Sequence, residues 1–265
     1  MTNKKEDLVY SFIGQRLPRV DSREKVIGQA KFSDDISIPD MLYAAVLRCP
    51  HAHARITSID TTRAKVLNGV KAVITSKDIL PNRFCVNSAL APGLEDKLPL
   101  EAEKGRFVGD EIAAVAAIDL ETAEQALDLI DVKYEVLPLV LDPEEAMRPN
   151  CSRVHDEKDR NTSFEIHTEF GNTGKAFEEA DYIFEDRFVT SSQAHSCMET
   201  HGCIAQWSED GKLTMWTTTQ RASFCQSELA KVLGIPEGDV RVIKTAVGGS
   251  FGSKISMHSL EPIAA

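Results

Sequence analysis

The amino-acid sequence predicts an α+β fold divided into two units. Two strand–helix–strand passages occur before residue 138, and a polar connector with several prolines follows over residues 139–165. Strand and helix patterns then alternate again up to residue 265. A chain of 265 residues, 42% of them hydrophobic, is long enough to bury two modest cores. These observations favour a compact α+β domain followed by a second domain of strands and helices.

The first unit is expected over residues 22–138, after an N-terminal extension of residues 1–21. Its first passage has strand candidates at residues 42–47, 54–60 and 70–75. A short helix is expected at residues 62–67 and ends at Asn68-Gly69. Its second passage has an apolar strand at residues 112–118 and an alternating strand at residues 132–136. Between them, a helix with one apolar stripe is expected at residues 120–130, after the N-cap residue Asp119.

The second unit is expected over residues 166–265. Its strand candidates lie at residues 182–189, 202–207, 213–219 and 240–247. Helical patterns lie at residues 174–180 and 222–233, and a further helix is expected to start at about Ser253. The helix at 222–233 places Cys225, Leu229 and Val232 on one face and ends at Gly234.

Composition excludes several classes of function. The chain has 30 basic and 41 acidic residues, a formal charge of −11, which repels nucleic acids and anionic lipid surfaces. Its uninterrupted apolar stretch at 112–118 is far shorter than a membrane span, and the first residues lead into no apolar leader. Six cysteines occur without a CxxC pair, so we expect mainly buried, reduced thiols in a cytoplasmic protein.

Three stretches contain candidate site residues. Gly248-Gly249-Ser250-Phe251-Gly252 lies between a predicted strand and a predicted helix, where backbone N–H groups favour an anion. A tight turn with packing glycines is the alternative, and neither the P-loop nor the dinucleotide-binding spacing is present. Gln220 lies at the end of a strand and offers donors and an acceptor to an oxygen-rich ligand, or caps backbone groups instead.

The third stretch runs from Gln193 to Cys203. If extended, it places five polar side chains on one face: His195, Cys197, Glu199, His201 and Cys203. A straight strand does not wrap four ligands around one zinc ion, because same-face residues lie about 6.6 Å apart. We therefore expect no protein metal ligand here and favour a hydrogen-bonded structural face. The same interpretation applies to His51 and His53.

Together, the segments form a more specific pattern than any one alone. Residues 28–60 (GQAKFSDDISIPDMLYAAVLRCPHAHARITSID), then FVGDEIAAVAA, KYEVLPLVLDPEEA, QAHSCMETHG, MWTTTQ and VGGSFGSK, resemble the molybdopterin-binding subunit of the xanthine dehydrogenase and aldehyde oxidase family. The resemblance implies an α/β hammerhead domain followed by the start of a mixed α/β molybdopterin-binding domain. It also implies oxidation of an aldehyde, N-heterocycle or related aromatic substrate, with water as the oxygen source.

The resemblance assigns the candidate site residues. Gln220 matches a glutamine near molybdenum that is not a direct ligand, and Phe251 and Gly252 match a Phe-Gly pair whose backbone faces the cofactor. Gln193 and the strand after it would support this face. Ser250 replaces the more usual third glycine, and we expect it to stiffen the turn. Ile255 stands where xanthine-type enzymes often have a glutamate, so a purine loses one anchor.

The resemblance also implies what the chain lacks. The family's catalytic glutamate and its remaining cofactor contacts lie outside these 265 residues, so the catalytic residue is unknown, and neither Glu199 nor Glu261 is assigned that role. We expect a divided subunit or a truncated product, inactive alone. The implied partners are the remaining molybdopterin-binding polypeptide, a 2Fe-2S subunit and an FAD subunit, and the cofactor is molybdenum-molybdopterin, with the cytosine dinucleotide form allowed.

Two other classes of function stay open at this point. A non-catalytic orphan fragment and a small zinc- or phosphate-binding module are both compatible with the individual stretches. Elemental analysis and the adjacent reading frame distinguish them from the oxidoreductase hypothesis.

Overall fold

Three three-stranded sheets organise residues 11–85 and 94–265, which are the residues described by the computed structural model. The strands of the described chain are β1 (Tyr43–Arg48), β2 (Ala54–Asp60), β3 (Val70–Thr75), β4 (Lys104–Gly105), β5 (Glu111–Ala117), β6 (Asp131–Val136), β7 (Cys203–Trp207), β8 (Leu213–Thr217) and β9 (Val240–Lys244). Its α-helices are α1 (Ser22–Val26), α2 (Thr62–Lys65), α3 (Leu120–Leu127), α4 (Pro143–Ala146), α5 (Thr173–Glu178), α6 (Ala222–Leu233) and α7 (Leu260–Ala264).

The first unit forms around the apolar strand β5. This strand lies between β1 and β3 and pairs antiparallel with both, which explains why its residues form a nearly continuous buried run. The next helix, α3, begins where the carboxylate of Asp119 accepts a 2.7 Å hydrogen bond from Thr122 N, the N-cap predicted from the sequence. Its Ala123 and Ala126 pack into the same core. A second sheet, in the order β4-β2-β6, completes the unit.

The second unit is built on a sheet in the order β7-β8-β9. Strand β8 is antiparallel to β7 and parallel to β9, and the parallel pair is joined by a crossover through α6, as parallel strands require. Cys225, Leu229 and Val232 of this helix are buried, so the predicted apolar face is confirmed. The helix ends at Gly234, whose φ of 68° is the left-handed conformation of a C-cap.

The two units share buried contacts. Phe84, from the first unit, is fully buried in the core of the second. Ser259 Oγ donates a 3.1 Å hydrogen bond to Glu111 Oε2, an oxygen that also lies 2.8 Å from Lys97 Nζ of the first unit. Asn82 Nδ2 donates to Val232 O at 3.0 Å. The Ser259 contact fixes the second unit against the start of β5, and the other two extend the shared surface.

Several sequence-based expectations are wrong in the second unit. Residues 182–189 form no strand, because no described strand lies beside them, and a run of strand-favouring residues alone supplies no backbone partner. The helix expected near Ser253 does not form; turns occupy residues 251–254, and α7 begins at Leu260. Strands β8 and β9 end two and three residues before the predicted limits of 219 and 247.

The connector and the N-terminal part contain little regular structure. Within 139–165 the described helix is α4, which starts with a proline after the capping residue Asp142. Residues 11–21 of the expected extension are mostly exposed, and residues 1–10 lie outside the described ranges. None of the described helices is both long and apolar enough to cross a membrane.

None of the six cysteines, all of which lie in the described residues, forms a disulfide. Cys49 and Cys225 are buried, as expected, but the other four are half-buried. Burial raises the pKa of the Cys203 and Cys225 thiols well above the usual thiol range, which keeps them protonated.

Candidate functional site

The glycine-rich loop at residues 248–252 has an unusual backbone. It follows β9, and Gly249 and Gly252 both have a φ of 101°, which glycine adopts readily. Phe251 has a φ of 49° although it is not a glycine, and the residue is 78% exposed, so its packing does not explain the conformation. Such strain costs on the order of 1–3 kcal/mol and is typical of functional sites.

The same loop presents a row of hydrogen-bond donors. In the described chain, no acceptor binds the backbone N–H groups of residues 249–252. Consecutive N–H groups around left-handed residues form a concave surface that favours anions. At Gly252 an added Cβ would meet no atom of the described residues closer than His195 Nε2 at 3.8 Å, so there is open space beside this part of the backbone. The loop therefore has the donor set that an anionic, oxygen-rich group needs.

Glu199 and Lys254 hold the two ends of the loop. Glu199 Oε2 accepts hydrogen bonds from Gly248 N at 2.6 Å and from Lys254 Nζ at 2.7 Å. Gly248 O in turn accepts from Glu199 N at 3.1 Å, and Lys254 Nζ donates to Glu199 O at 3.0 Å. A Cβ at Gly248 would come within 2.7 Å of Glu199 Cβ, so only glycine allows this close approach.

The pairing of Glu199 with Lys254 does not follow from the sequence. The sequence places Glu199 on the polar face of 193–203 without a role, and it assigns no role to Lys254. The available signal is an acidic and a basic residue inside two polar motifs. Because 55 residues separate them, sequence spacing does not connect them.

Gln220 lies beside the loop, where the sequence predicts it. Its backbone N donates to Lys254 O at 2.7 Å, and its Oε1 accepts a short hydrogen bond from Ser250 Oγ. Its Nε2 has no partner among the described residues, and the residue is exposed. The structure thus brings together all six predicted site residues: Gln220, Gly248, Gly249, Ser250, Phe251 and Gly252.

The polar residues before β7 contact the glycine-rich loop and the residues that follow it, but they do not form a strand. Residues 193–202 form no strand, and Gln193 is exposed and bonded to Ser191 Oγ, so the expected support from Gln193 is wrong. Instead, His201 Nε2 and His258 Nε2 lie 3.2 and 2.7 Å from Ser253 O, which accepts from both rings. Burial, and for His201 also the neighbouring His258, lowers the pKa of both imidazoles.

The other polar residues of this face make protein contacts. Cys197 Sγ lies 3.6 Å from Ser253 Oγ, and the rings of His201 and His258 are 4.0 Å apart. In the first unit, His53 Nδ1 donates to Pro138 O at 2.7 Å, and His51 packs edge-on against Tyr134. Across residues 11–85 and 94–265, no three His, Cys, Asp or Glu side chains are arranged to hold a metal ion.

The two domains, with the donor-rich loop and Gln220 on the second, are those of a molybdopterin-binding subunit. The chain belongs to the aldehyde oxidase and xanthine dehydrogenase family. The family model for the a/b hammerhead domain matches residues 27–138, and the model for the molybdopterin cofactor-binding domain matches residues 154–265.

Individual relatives agree with this family. A probable xanthine dehydrogenase subunit from Bacillus subtilis (strain 168) is 39% identical over 93% of this chain and 32% of its own length. The nicotinate dehydrogenase large molybdopterin subunit of Eubacterium barkeri is 36% identical over 94% of this chain and 57% of its own. The crystal structure of quinoline 2-oxidoreductase from Pseudomonas putida 86 superposes with a TM-score of 0.85 at 31% identity, over 94% of this chain and 32% of that one.

The chain therefore spans between about one third and just over one half of the length of these relatives. The matched solved chains include the aldehyde oxidoreductase of Desulfovibrio gigas, with a TM-score of 0.84 at 26% identity, over 94% of this chain and 28% of that one.

Proposed function

We propose that this chain supplies part of the molybdopterin-binding site of a molybdenum hydroxylase that oxidises an aldehyde, N-heterocycle or related aromatic compound. The observation that carries the proposal is the row of four N–H groups at residues 249–252 that have no acceptor among the described residues, directly beside Gln220. When bound, molybdenum-molybdopterin supplies the redox centre that removes two electrons from the substrate carbon while water supplies the oxygen. The cytosine dinucleotide form is compatible with the likeness to carbon monoxide dehydrogenase large chains.

Each residue has a distinct task in this proposal. The N–H groups of residues 249–252 donate to anionic oxygens, and Gly252 lets that group approach the backbone because no Cβ is present. Gln220 Nε2 provides a further donor from the neighbouring strand end. Glu199 and Lys254 keep the loop in its strained shape, which holds the donors in place before any ligand arrives.

The substrate class rests on the relatives and on one residue of this chain. The names of matched relatives include xanthine, nicotinate and nicotine, and that of a matched solved structure includes quinoline. Ile255 follows Lys254 and has no charge with which to pair with a purine. We therefore favour an aldehyde or an aromatic heterocycle other than a purine.

An exposed aromatic segment supports the need for further polypeptide. Residues 163–171 and 181–190 make no backbone–backbone hydrogen bond to any described residue. These ranges nevertheless contain apolar side chains that are more than half exposed: Phe164, Ile166, Phe170, Tyr182, Ile183, Phe184, Phe188 and Val189. A surface of this kind is typical of an interface. We assign it to the remaining molybdopterin-binding polypeptide, whether continuous with this chain or separate, and expect 2Fe-2S and FAD subunits or domains to complete electron transfer.

Localisation follows from the thiols. Six cysteines without a disulfide among the described residues are typical of a reducing compartment, so we propose a cytoplasmic protein.

The test compares the chain alone with the chain co-expressed with a polypeptide that carries the missing part of the subunit. Molybdenum per chain is measured by elemental analysis, and turnover is measured with an aldehyde, a pyridine-type heterocycle and a purine. The chain alone should hold little molybdenum and show no turnover, and the assembled protein should gain both. Stoichiometric molybdenum and turnover from the chain alone would contradict the proposed incompleteness.

Two other outcomes select the alternative functions. A stable assembly that contains no molybdenum identifies a non-catalytic fragment. One tightly held zinc per chain, lost when Cys197 and Cys203 are both replaced by serine, identifies a zinc-binding module.

A further inference from the structure

The hydroxyl group of Ser250 lies between a hydrogen-bond donor and a hydrogen-bond acceptor. Its Oγ accepts a hydrogen bond from Lys254 N at 3.2 Å and donates a short one to Gln220 Oε1. Ser250 is only 8% exposed, so water has little access to its hydroxyl. Among the described residues, the side chain of Gln220 has no other hydrogen-bond partner.

The direction of the hydroxyl proton follows from the donor set. A backbone N–H is only a donor, so Ser250 Oγ acts as the acceptor towards Lys254 N. The proton of the hydroxyl then needs an acceptor of its own, and the amide oxygen of Gln220 is within reach. The amide therefore has its oxygen towards Ser250 and its NH2 group away from it.

The backbone of Gln220 restricts the side chain further. Gln220 N donates to Lys254 O at 2.7 Å, which fixes its Cα beside the loop. One hydrogen bond to the backbone and one to Ser250 hold both ends of the residue. The Nε2 group of this exposed residue is then left without a partner among the described residues, in a side chain that is bonded to Ser250 of the loop.

We propose that Ser250 is a positioning residue that sets the orientation of the Gln220 amide, so that Gln220 presents N–H donors, rather than its carbonyl oxygen, to an anionic oxygen of the bound group. The proposal rests on the proposed function, because it needs an anion beside the loop. A residue without a hydroxyl at position 250 leaves the amide free to rotate. The wrong orientation would then place one oxygen against another.

The first test needs no cofactor. The chain has seven glutamines, so selective 15N and side-chain 13C labelling of glutamine gives a simple NMR spectrum of the full chain. The Gln220 signals are assigned by their loss in Gln220→Ala. In Ser250→Ala we expect the Gln220 NH2 group to become mobile, with a lower heteronuclear NOE and a shifted amide carbonyl carbon. Ser250→Gly provides a second variant without the hydroxyl, should alanine disturb the turn.

Ser253→Ala is the matched control. It removes a hydroxyl from the residue directly after the loop, one that donates to Ser250 O at 2.8 Å and has no hydrogen bond to Gln220. The Gln220 signals should stay as in the wild type. An equally rigid Gln220 amide in both Ser250 variants would overturn the inference, whatever the assembled protein does.

The second test uses the assembled protein. Ser250→Ala should keep its molybdenum content and lose about 3- to 10-fold in kcat, the size expected for one neutral hydrogen bond. Unchanged kcat, together with a mobile amide, overturns the link between Ser250 and the bound group. If the wild-type assembly contains no molybdenum, the proposed function fails instead, and the NMR result still reports on the orientation of Gln220.

Discussion

The carboxylate of Glu199 and the ammonium group of Lys254 form a buried ion pair, 2.7 Å apart, that closes the glycine-rich loop at its base. The Lys254 side chain is fully buried, and that of Glu199 is 16% exposed. Because Glu199 also binds both backbone polar groups of Gly248, the pair joins the start of the loop to Lys254, the last residue of the turn at 251–254.

Lys254→Met should destabilise the chain by about 3–5 kcal/mol, since it leaves the buried charge of Glu199 without a counter-ion. Urea unfolding followed by circular dichroism measures the change. Lys212→Met is the matched control, because Lys212 and its partner Asp210 are both more than half exposed; its unfolding midpoint should not move. Equal behaviour of the two variants would show that burial of the Glu199–Lys254 pair has no energetic role.

Gly252→Val should remove molybdenum and lower turnover of the assembled protein by about 100-fold or more, because added volume displaces the bound group. Backbone strain accompanies the substitution, since φ is 101° at this position. Gly211→Val controls for strain: Gly211 has a φ of 78° in a distant turn, with open space around it. Normal molybdenum content in Gly252→Val would rule out contact between Gly252 and the cofactor.

Gln220→Ala should retain molybdenum but lower turnover by about 10- to 100-fold. The substitution deletes one polar contact, typically about 1–3 kcal/mol when the partner is buried, and leaves the backbone donors of the loop intact. Metal analysis and kcat are measured on the same preparation, after co-purification has confirmed assembly. Loss of molybdenum in parallel with activity would instead assign Gln220 a role in holding the cofactor.

The neighbouring rings of His201 and His258 predict that the stability of the folded chain depends on pH. The pKa of His201 and of His258 is lowered in the folded chain by burial, so the unfolded chain binds protons more tightly than the folded one. The two histidines contribute fully to the free energy of unfolding at a pH above their pKa in the unfolded chain, which is about 6.5. This contribution is lost as the pH falls from that value through their lower pKa values in the folded chain.

Thermal unfolding between pH 5 and pH 7 tests this dependence. His258→Gln should flatten the decrease in melting temperature below about pH 6.5. His167→Gln, at a histidine whose side chain is 91% exposed, should leave the pH profile unchanged. A wild-type profile in His258→Gln would exclude the pair as the source of the dependence.

The sequence predicts the first unit better than the second for a physical reason. Strand β5 and the Asp119 cap of α3 depend on local signals, a buried apolar run and a side chain three residues from its donor. Residues 182–189 are also rich in aromatic and β-branched residues, but a strand needs a neighbouring backbone as well, which local composition does not reveal.

The candidate site shows the same limit. The family motifs place Gln220 and the glycine-rich loop in one site, and the structure joins them through Lys254 O and Ser250 Oγ. They do not reveal the hydrogen bond from Ser250 to the Gln220 amide, although they mark Ser250 as unusual. Contacts between side chains 30 or 55 residues apart depend on tertiary structure, and spacing within a motif does not contain that information.

The exposed aromatic segment has a consequence for how the cell must make this protein. Exposed aromatic side chains on a backbone without a strand partner promote self-association, and the rate of that process rises steeply with the concentration of uncovered chain. Covering the segment soon after synthesis, by a later part of the same polypeptide or by another one, would therefore limit aggregation. Chain in which the segment stays exposed would be a client for chaperones and proteases, so the speed of covering, as much as binding affinity, would set the yield of folded protein.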